Sequence, residues 1–271
     1  MKKGLLVILF SLLFTLVFAA DVDTIQVASK KMNKSFKCVV IKPSSAKLDA
    51  NKKFPVTYLL HGYSGWYANW IIRVPDLKLM ADQYGMFIVC PEGQNSWYLD
   101  SPLADSSQFE TYISTEVPAF IDSHYPTIQD RKGRAITGLS MGGHGGLYLG
   151  FKHSEVFGAC GSMSGGVDIR PFKSSWEIPK LIGDSLHYAE NWEKYSVINL
   201  VNTKPTDSLA IIIDCGTEDF FYKVNCSLHE KLLDLKINHD FISRPGKHDW
   251  NYWRNAVQYQ LLFFNNYFNK K

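Results

Sequence analysis

The chain has 271 residues, of which 46% are hydrophobic, 20% charged and 14% aromatic. This much apolar and aromatic surface is typical of a globular protein and excludes low-complexity, collagen-like and disordered classes. The 29 basic and 26 acidic residues give a net charge of +3, which falls to +1 if Lys2 and Lys3 are removed with the N-terminus. Nucleic-acid binding needs clustered cations, so we expect no nucleic-acid partner.

Residues 1–19 are predicted to be a signal peptide. Lys2 and Lys3 precede an apolar run over residues 4–18, and the small pair Ala19-Ala20 follows it. A positive start, a short apolar segment and a small-residue exit are typical of an export signal. The alternative is an uncleaved anchor, but the run is shorter than the roughly 20 residues that span a bilayer. We therefore predict cleavage after Ala19 and an exported protein, periplasmic or secreted, with no membrane partner after removal.

The remainder, residues 20–271, is predicted to be one α/β domain. Residues 24–43 read as two strands of an antiparallel lead-in. Short apolar runs follow at 54–60, 86–92, 134–138, 157–164, 209–216 and 240–246, and helical spacing is clearest at 108–124, 222–237 and 249–268. Near-continuous apolar runs suit strands that are buried on both faces of a parallel sheet. The alternation predicts a mostly parallel central sheet with helices on both faces.

One stretch, residues 167–203, does not resolve into a strand–helix unit. It is long and aromatic, and we interpret it as an insertion over the sheet edge, where binding loops usually lie. The five cysteines follow no paired spacing. Cys90, Cys160 and Cys215 sit in strand-like runs, which favours buried free thiols, and one disulfide remains open.

The strongest motif is Gly138-Leu139-Ser140-Met141-Gly142. It matches G-x-S-x-G and falls between a predicted strand and a glycine-rich helix start, the context of a nucleophile elbow. The tight turn would lift the serine hydroxyl above the sheet, and the helix N-terminus would face a developing oxyanion. We predict that Ser140 is a nucleophile.

A serine nucleophile needs a base, which in chain order should follow it. His61 and His124 precede Ser140, and five later histidines lie on helices, in the insertion or at a strand start, namely His144, His153, His187, His229 and His239. His248 instead lies in a loop directly after the last predicted strand, where the base belongs. We predict His248 as the base, and we interpret His61 as a brace for its own loop.

The acid that orients the base should follow the strand at 209–216. Three carboxylates compete there: Asp214, Glu218 and Asp219. Asp214 still lies within the strand, which favours a structural role in the turn. Asp219 lies further along the loop and has room to reach a histidine, so we prefer it to Glu218.

Two backbone amides should form the oxyanion hole. The N–H of Met141, directly after the serine, is one candidate. The second should come from the loop after the strand at 54–60, and we choose the Tyr63 N–H because Gly62 permits a sharp turn there.

Aromatic residues are abundant in loops at the same end of the predicted sheet. The candidates for substrate contact are Trp66, Trp97, Tyr98 and Trp176. Exposed aromatics there could stack on a sugar or a hydroxycinnamoyl ring, and they could equally be core of the insertion. Both interpretations stay open on the sequence.

Five segments, LLHGYSG, PEGQNSWYLDSP, GLSMGGHGG, CGTEDFF and GKHDWNYW, together resemble the esterase D-like branch of the α/β-hydrolases. That branch includes tributyrin esterases, S-formylglutathione hydrolases, and the feruloyl and acetylxylan esterases of carbohydrate esterase family 1. The resemblance spans residues 54–268 in the family's motif order. It implies triad roles for Ser140, Asp219 and His248, with oxyanion amides at Tyr63 and Met141. The predicted export signal departs from the cytosolic S-formylglutathione hydrolases.

The expected activity is therefore hydrolysis of carboxylic esters, either feruloyl or acetyl esters of plant polysaccharide or short-chain acyl esters. The partner is a small-molecule or polysaccharide-linked ester. We expect no cofactor and no metal, because H-E-x-x-H, paired C-x-x-C and calcium-loop patterns do not occur in the sequence. An acyltransferase, a thioesterase and a serine peptidase of the same fold remain alternatives, as does a non-enzymatic carbohydrate-binding protein in which the triad is a relic.

Overall fold

A sheet of eight strands forms the centre of the protein, whose computed structural model describes residues 20–48, 51–201 and 209–270. The strands pair in the order β1-β2-β4-β3-β5-β6-β7-β8. They are β1 (Asp21–Ser29), β2 (Lys34–Lys42), β3 (Val56–Leu60), β4 (Phe87–Pro91), β5 (Arg134–Gly138), β6 (Ala159–Met163), β7 (Ala210–Gly216) and β8 (Asp240–Arg244).

The sheet is mixed, with the antiparallel part at one edge. β1 pairs antiparallel with β2 over its whole length, and β2 pairs antiparallel with β4. The strands from β3 to β8 all run parallel to one another. The predicted antiparallel lead-in and mostly parallel sheet are confirmed. The six predicted apolar runs agree with β3 to β8 to within two residues at either end, whereas β1 begins three residues before the predicted lead-in.

Helices cover both faces of this sheet. In chain order they are α1 (Asn69–Arg73), α2 (Leu77–Tyr84), α3 (Phe109–Thr111), α4 (Val117–His124), α5 (Met141–Lys152), α6 (Ile178–Ile182), α7 (Ala189–Lys194), α8 (Val197–Leu200), α9 (Tyr222–Asp234) and α10 (Trp250–Phe268). Apolar residues of α2 and α10 pack in one core, and those of α3 to α9 pack in another.

The two cores explain why the strands read as unbroken apolar runs. In β3, Tyr58 and Leu60 contact the core under α5, whereas Leu59 between them contacts the core under α10. Successive side chains of a strand point to opposite faces, so a strand covered on both sides needs apolar residues at every position.

The predicted helix at 108–124 contains a wider π turn at Tyr112–Glu116, between α3 and α4. Pro118 lies directly after this turn. Proline has no N–H to donate, and its ring clashes with the carbonyl four residues earlier in a regular helix. A local π turn relieves this clash and lets the chain continue helically into α4.

The predicted insertion consists of short helical pieces, including a 3₁₀ turn at Arg170–Phe172 and the helices α6 to α8. It is tied to the loop that follows β4 by side-chain hydrogen bonds. The Ser101 hydroxyl donates to the Leu181 carbonyl at 2.6 Å, and the Tyr195 hydroxyl donates to the Asp100 carbonyl at 3.1 Å. Residues 202 and 203 of the predicted insertion lie outside the described residues.

The described chain begins beside α2, at Ala20. The backbone N–H of Ala20, which is 7% exposed, donates to Asp82 Oδ2 at 2.8 Å. The other carboxylate oxygen of Asp82 accepts from the Ser44 N–H at 2.6 Å. The predicted signal peptide, residues 1–19, lies outside the described residues. Within the described ranges, no helix combines the length and apolarity required to cross a bilayer. All five cysteines are free thiols, and Cys90, Cys160 and Cys215 are buried as predicted.

Candidate active site

Ser140 sits on the tight turn between β5 and α5 with φ +55° and ψ −116°. A left-handed φ is uncommon for a serine and is held by the surrounding structure. The Ser140 N–H donates to the Met163 carbonyl at 2.9 Å, which fixes the turn against β6. The turn raises the Ser140 side chain at the carboxyl edge of the sheet.

The glycines of the motif are required by close backbone contacts. A Cβ on Gly138 would lie 2.6 Å from the Leu60 carbonyl oxygen, and one on Gly142 would lie 2.5 Å from the same atom. Contacts this short displace backbone rather than a flexible side chain. The G-x-S-x-G spacing therefore reflects the packing of the elbow against the end of β3.

Ser140, His248 and Asp219 form a continuous hydrogen-bonded chain. His248 Nε2 lies 2.9 Å from Ser140 Oγ, and His248 Nδ1 lies 2.8 Å from Asp219 Oδ2. The three residues come from the ends of β5, β8 and β7. This geometry allows a proton to pass between the serine hydroxyl and the imidazole while a carboxylate holds the other ring nitrogen.

The Asp219 carboxylate is itself fixed. Its side chain is fully buried, and its Oδ1 accepts the backbone N–H of Phe221 at 2.8 Å. The loop that carries it is joined to the loop of His248, since the Glu218 N–H donates to the Gly246 carbonyl at 2.9 Å. The two loops therefore hold the Asp219 carboxylate and the His248 imidazole in a fixed relative position.

The two competing carboxylates have other contacts. Asp214 is buried and accepts hydrogen bonds from Tyr252 Oη and, at 2.8 Å, from Arg244 Nη2. Burial raises the pKa of Asp214, and these two donors offset only part of the rise. Glu218 is exposed and faces Lys247 at 3.8 Å. Asp214 thus has the structural role that its position within the strand predicted.

His61 braces the loop after β3, as the sequence indicated. Its Nε2 accepts the backbone N–H of Gly93 at 2.8 Å, which places its proton on Nδ1, where it donates to the Gly62 carbonyl at 2.8 Å. The Tyr98 hydroxyl donates to the His61 carbonyl at 3.0 Å. His144, another buried histidine, contacts the Gly166 carbonyl through Nδ1 at 3.1 Å, and burial lowers its pKa to about 4.

The two candidate oxyanion amides lie at the ends of β3 and β5. Neither the Tyr63 N–H nor the Met141 N–H donates a hydrogen bond within the described parts of the chain. The loop of Tyr63 abuts the nucleophile, because a Cβ on Gly62 would lie 3.5 Å from Ser140 Cβ. Two unused donors beside a serine hydroxyl suit the stabilisation of an oxyanion.

A cavity of about 430 Å³ opens over Ser140 and His248. Two pairs of contacting aromatic side chains line it, Trp176 with Phe220 and Trp250 with Trp253. The rings of Trp176 and Phe220 stack at 5.7 Å between centroids. Phe220 and Trp253 also flank the imidazole, with their ring centroids 4.1 and 4.9 Å from that of His248.

Of the four aromatic candidates for substrate contact, only Trp176 lines this cavity. Trp66 is 45% exposed, but it packs edge-on against Tyr67 outside the cavity. Trp97 and Tyr98 are 1% and 0% exposed, which corrects their assignment as substrate-contact residues. Trp97 packs behind Trp176, and its indole N–H donates to the Trp176 carbonyl at 3.3 Å. For these two buried residues the alternative of core packing is the right one.

The comparisons with known proteins agree with this architecture. The sequence model of an esterase family, described as "Putative esterase", matches residues 29–264. The chain belongs to this esterase family. An acetyl esterase of Caldicellulosiruptor saccharolyticus is 29% identical over 223 residues, which cover 74% of this chain and 79% of that protein. The solved structure of a ferulic acid esterase is 31% identical, with a TM-score of 0.80 over 93% of this chain and 100% of that one.

A third relative is the diacylglycerol acyltransferase/mycolyltransferase Ag85A of Mycobacterium tuberculosis. It is 31% identical over 240 residues, which cover 73% of this chain and 69% of that protein. The resemblance drawn from the sequence motifs is therefore confirmed at the level of an α/β-hydrolase of the esterase family. The protein is a carboxylic-ester hydrolase.

Several residues of this esterase's cavity were missed by the sequence analysis. Phe220 and Trp250 lie within two residues of the predicted site residues Asp219 and His248, in the CGTEDFF and GKHDWNYW segments. This proximity in sequence could have identified them as candidates. Asn69 and Arg73 of α1 also line the cavity. They carry no motif, and only the packing of α1 against α10 brings them there. Within residues 20–48, 51–201 and 209–270, no group of three or more histidine, cysteine or acidic side chains could hold a metal ion.

Proposed function

We propose that the protein is an exported serine esterase in which Ser140 is the nucleophile, His248 the general base and Asp219 the orienting acid. The proposal rests on the hydrogen-bonded chain of 2.9 and 2.8 Å that joins these three side chains at the floor of the cavity. Its chain order, serine, acid and histidine, is that of α/β-hydrolases.

In the proposed reaction, His248 Nε2 takes the Ser140 proton while Oγ attacks the ester carbonyl carbon. The negative charge that develops on the carbonyl oxygen is held by the N–H groups of Tyr63 and Met141. His248 then gives its proton to the departing alcohol, which leaves an acyl-enzyme. Water attacks this ester with His248 again as the base, and the carboxylic acid is released. Asp219 keeps the imidazole proton on Nδ1 throughout.

The proposed substrates are feruloyl or acetyl esters of plant polysaccharide, or short-chain acyl esters. The aromatic walls of the cavity support this class, since Trp176 and Phe220 offer a stacked surface that suits a hydroxycinnamoyl ring or the apolar face of a sugar. An acetyl esterase and a ferulic acid esterase among the similar proteins support the same choice.

Hydrolysis of p-nitrophenyl acetate, butyrate and octanoate, with methyl ferulate alongside, tests the proposal. We expect Ser140→Ala to lower kcat by roughly 10⁵–10⁶-fold. Ser123→Ala, an exposed serine at the end of α4, is the matched control and should keep full activity. A Ser140→Ala protein that stays within tenfold of the wild type would refute Ser140 as the nucleophile. Poor turnover of methyl ferulate and acetylated xylan beside good turnover of aliphatic esters would refute the polysaccharide substrates.

Export is part of the proposal and has its own test. Expression of the full chain with its natural N-terminus should yield protein outside the cytoplasm that begins at Ala20 on N-terminal sequencing. Full-length protein retained in the cytoplasm or membrane would contradict it.

A second candidate is acyl transfer to an alcohol, which the likeness to an acyltransferase favours. The same acyl-enzyme would then be attacked by a hydroxyl group in place of water. Addition of a sugar acceptor to an assay with p-nitrophenyl butyrate separates the two: an ester of the sugar as the main product indicates a transferase, and butyrate as the main product indicates a hydrolase.

A further inference from the structure

We propose that Arg73 and Asn69 form a subsite for a free carboxylate on the ester substrate, so that the enzyme favours esters that carry an unesterified carboxyl group. The inference deepens the proposed function and rests on it, because the subsite belongs to the cavity over Ser140.

The subsite lies on α1, a short helix that follows the loop of Tyr63. Asn69 and Arg73 are four residues apart, which places both side chains on one face of that turn, and both line the cavity with Ser140 and His248. Asn69 Oδ1 accepts the Trp66 N–H at 2.9 Å, so the amide keeps its NH₂ group as a donor. The Arg73 guanidinium lies 5.8 Å from the Trp250 ring centroid, in cation–π range of the cavity wall.

The charge balance of the cavity favours an anion. Arg73 forms no salt bridge in the described part of the chain, and none of the cavity-lining residues found there is acidic. The Glu177 carboxylate, which accepts from the hydroxyl of the cavity-lining Tyr63 at 2.9 Å, is already engaged by Lys180. Among the residues that the structure describes, no carboxylate therefore forms a salt bridge with Arg73.

A carboxylate suits these donors better than a larger anion does. A guanidinium presents parallel N–H groups that match the two oxygens of a carboxylate, and the Asn69 amide adds a neutral donor beside them. One cation balances the single charge of a carboxylate, whereas a phosphate monoester carries nearly two charges at neutral pH.

The carboxylate could belong to the acyl part or to the alcohol part of the ester. Trp250, against which Arg73 lies, contacts Trp253 at 5.5 Å, and Trp253 contacts His248. His248 is the group that protonates the departing alcohol in the proposed reaction. Because these contacts link Arg73 to His248, we expect the carboxylate to belong to the alcohol part of the ester.

Two substrate pairs distinguish them. The first pair is 4-acetoxybenzoate and its methyl ester, with the carboxylate on the alcohol part. The second is the mono-4-nitrophenyl ester of adipic acid and its methyl ester, with the carboxylate on the acyl part. The quantity measured is the ratio of kcat/KM for the carboxylate to kcat/KM for its neutral methyl ester. When this ratio is compared between the wild type and a variant, the intrinsic reactivities of the two esters cancel.

We expect Arg73→Gln to lower this ratio about tenfold for the first pair, the effect of one lost charge-assisted contact. Asn69→Asp retains the acceptor for Trp66 but places a carboxylate four residues from Arg73, and it should lower the ratio similarly. Arg254→Gln is the matched control: Arg254 is exposed and donates to the Arg73 carbonyl at 3.0 Å but does not line the cavity. Its ratio should equal that of the wild type. Rising salt should reduce the wild-type ratio.

A fall for the second pair alone would support the subsite and move the carboxylate to the acyl part. Ratios that stay within twofold of the wild type for both pairs in Arg73→Gln, while all four esters are hydrolysed, overturn the subsite and leave the serine esterase intact. Wild-type protein that hydrolyses none of the four esters overturns both proposals.

Discussion

Asp219 and His248 meet through one hydrogen bond of 2.8 Å, made by the carboxylate oxygen Oδ2, while the other oxygen is held by the backbone N–H of Phe221. The carboxylate therefore cannot turn away from the imidazole without losing a second contact. Because its side chain is fully buried, water does not compete for either oxygen. This arrangement fixes both the ring orientation and the tautomer of His248.

We expect Asp219→Asn to lower kcat by roughly 10³–10⁴-fold with little change in KM, since the amide favours the wrong imidazole tautomer. Glu218→Gln, which changes the neighbouring exposed carboxylate, is the matched control and should stay near wild-type activity. Steady-state kinetics on p-nitrophenyl butyrate measure both. If Glu218→Gln were the damaging change, the acid would be misassigned.

The wall of Trp176 and Phe220 predicts a preference for aromatic acyl groups. We expect Trp176→Ala to lower kcat/KM for methyl ferulate five- to tenfold more than for p-nitrophenyl acetate, because the ring would lose a stacking partner. Trp66→Ala removes an exposed tryptophan outside the cavity and should change neither value. Equal losses on both esters in Trp176→Ala would mean that this side chain does not distinguish acyl groups.

The loop of Tyr63, the proposed oxyanion donor, is tied to the insertion by the hydrogen bond from the Tyr63 hydroxyl to Glu177. Tyr63→Phe and Glu177→Gln both weaken this tie, and we expect each to lower kcat three- to tenfold by loosening the Tyr63 N–H. Lys180→Gln is the control, because Lys180 contacts Glu177 but not the loop. Unchanged kcat in both variants would show that the loop is held without the insertion.

Glu110 predicts how stability depends on pH. Burial opposes its ionisation, but hydrogen bonds from His153, Lys152 and Tyr148 lower its pKa to about 2, against 4.5 for a free glutamate. A carboxyl whose folded pKa is depressed stabilises the protein above its unfolded pKa, and this contribution is lost as the pH falls from about 4.5 towards 2. Its size is about 3 kcal/mol.

We therefore expect Glu110→Gln to lower the free energy of unfolding by about 2–3 kcal/mol at pH 7. The difference from the wild type should shrink as the pH falls below 4.5. Urea denaturation at pH 7, 4.5 and 3 measures it. Glu155→Gln is the control, because the exposed Glu155 contacts the other ring nitrogen of His153. Its free energy of unfolding should change with pH as that of the wild type does. If the free energies of unfolding of Glu110→Gln and the wild type differed by the same amount at all three pH values, the lowered pKa of Glu110 would be contradicted.

The parts of the site that could be predicted from the sequence are those fixed by topology. Ser140, Asp219 and His248 each follow a parallel strand, and the carboxyl ends of parallel strands meet at one edge, so chain order and loop position brought them together. Asp214 was set aside for the same reason, as it precedes the end of β7. The glycines at 138 and 142 could be recognised as part of the motif because the turn tolerates no Cβ at these positions.

The walls of the cavity could not be predicted, because they depend on contacts between distant segments. Trp97 and Trp176 looked alike in the sequence as loop aromatics, yet one is buried behind the other. Arg73 reaches the cavity only because α1 lies beside the start of α10. The π turn before Pro118 is a further local feature that helical spacing of apolar residues does not reveal.

The contact between Ala20 and Asp82 gives the proposed cleavage a consequence for folding. Cleavage after Ala19 would convert the Ala20 amide, which now donates to Asp82 Oδ2 at 2.8 Å, into a positively charged α-ammonium group at the same place. A hydrogen bond from a neutral donor to a carboxylate would become an ion pair in a part-buried setting, where such pairs are stronger than at the fully exposed surface. Removal of the leader would then do more than free the chain from the translocation machinery. It would also create a cation that pairs with Asp82 and so ties the start of β1 to α2.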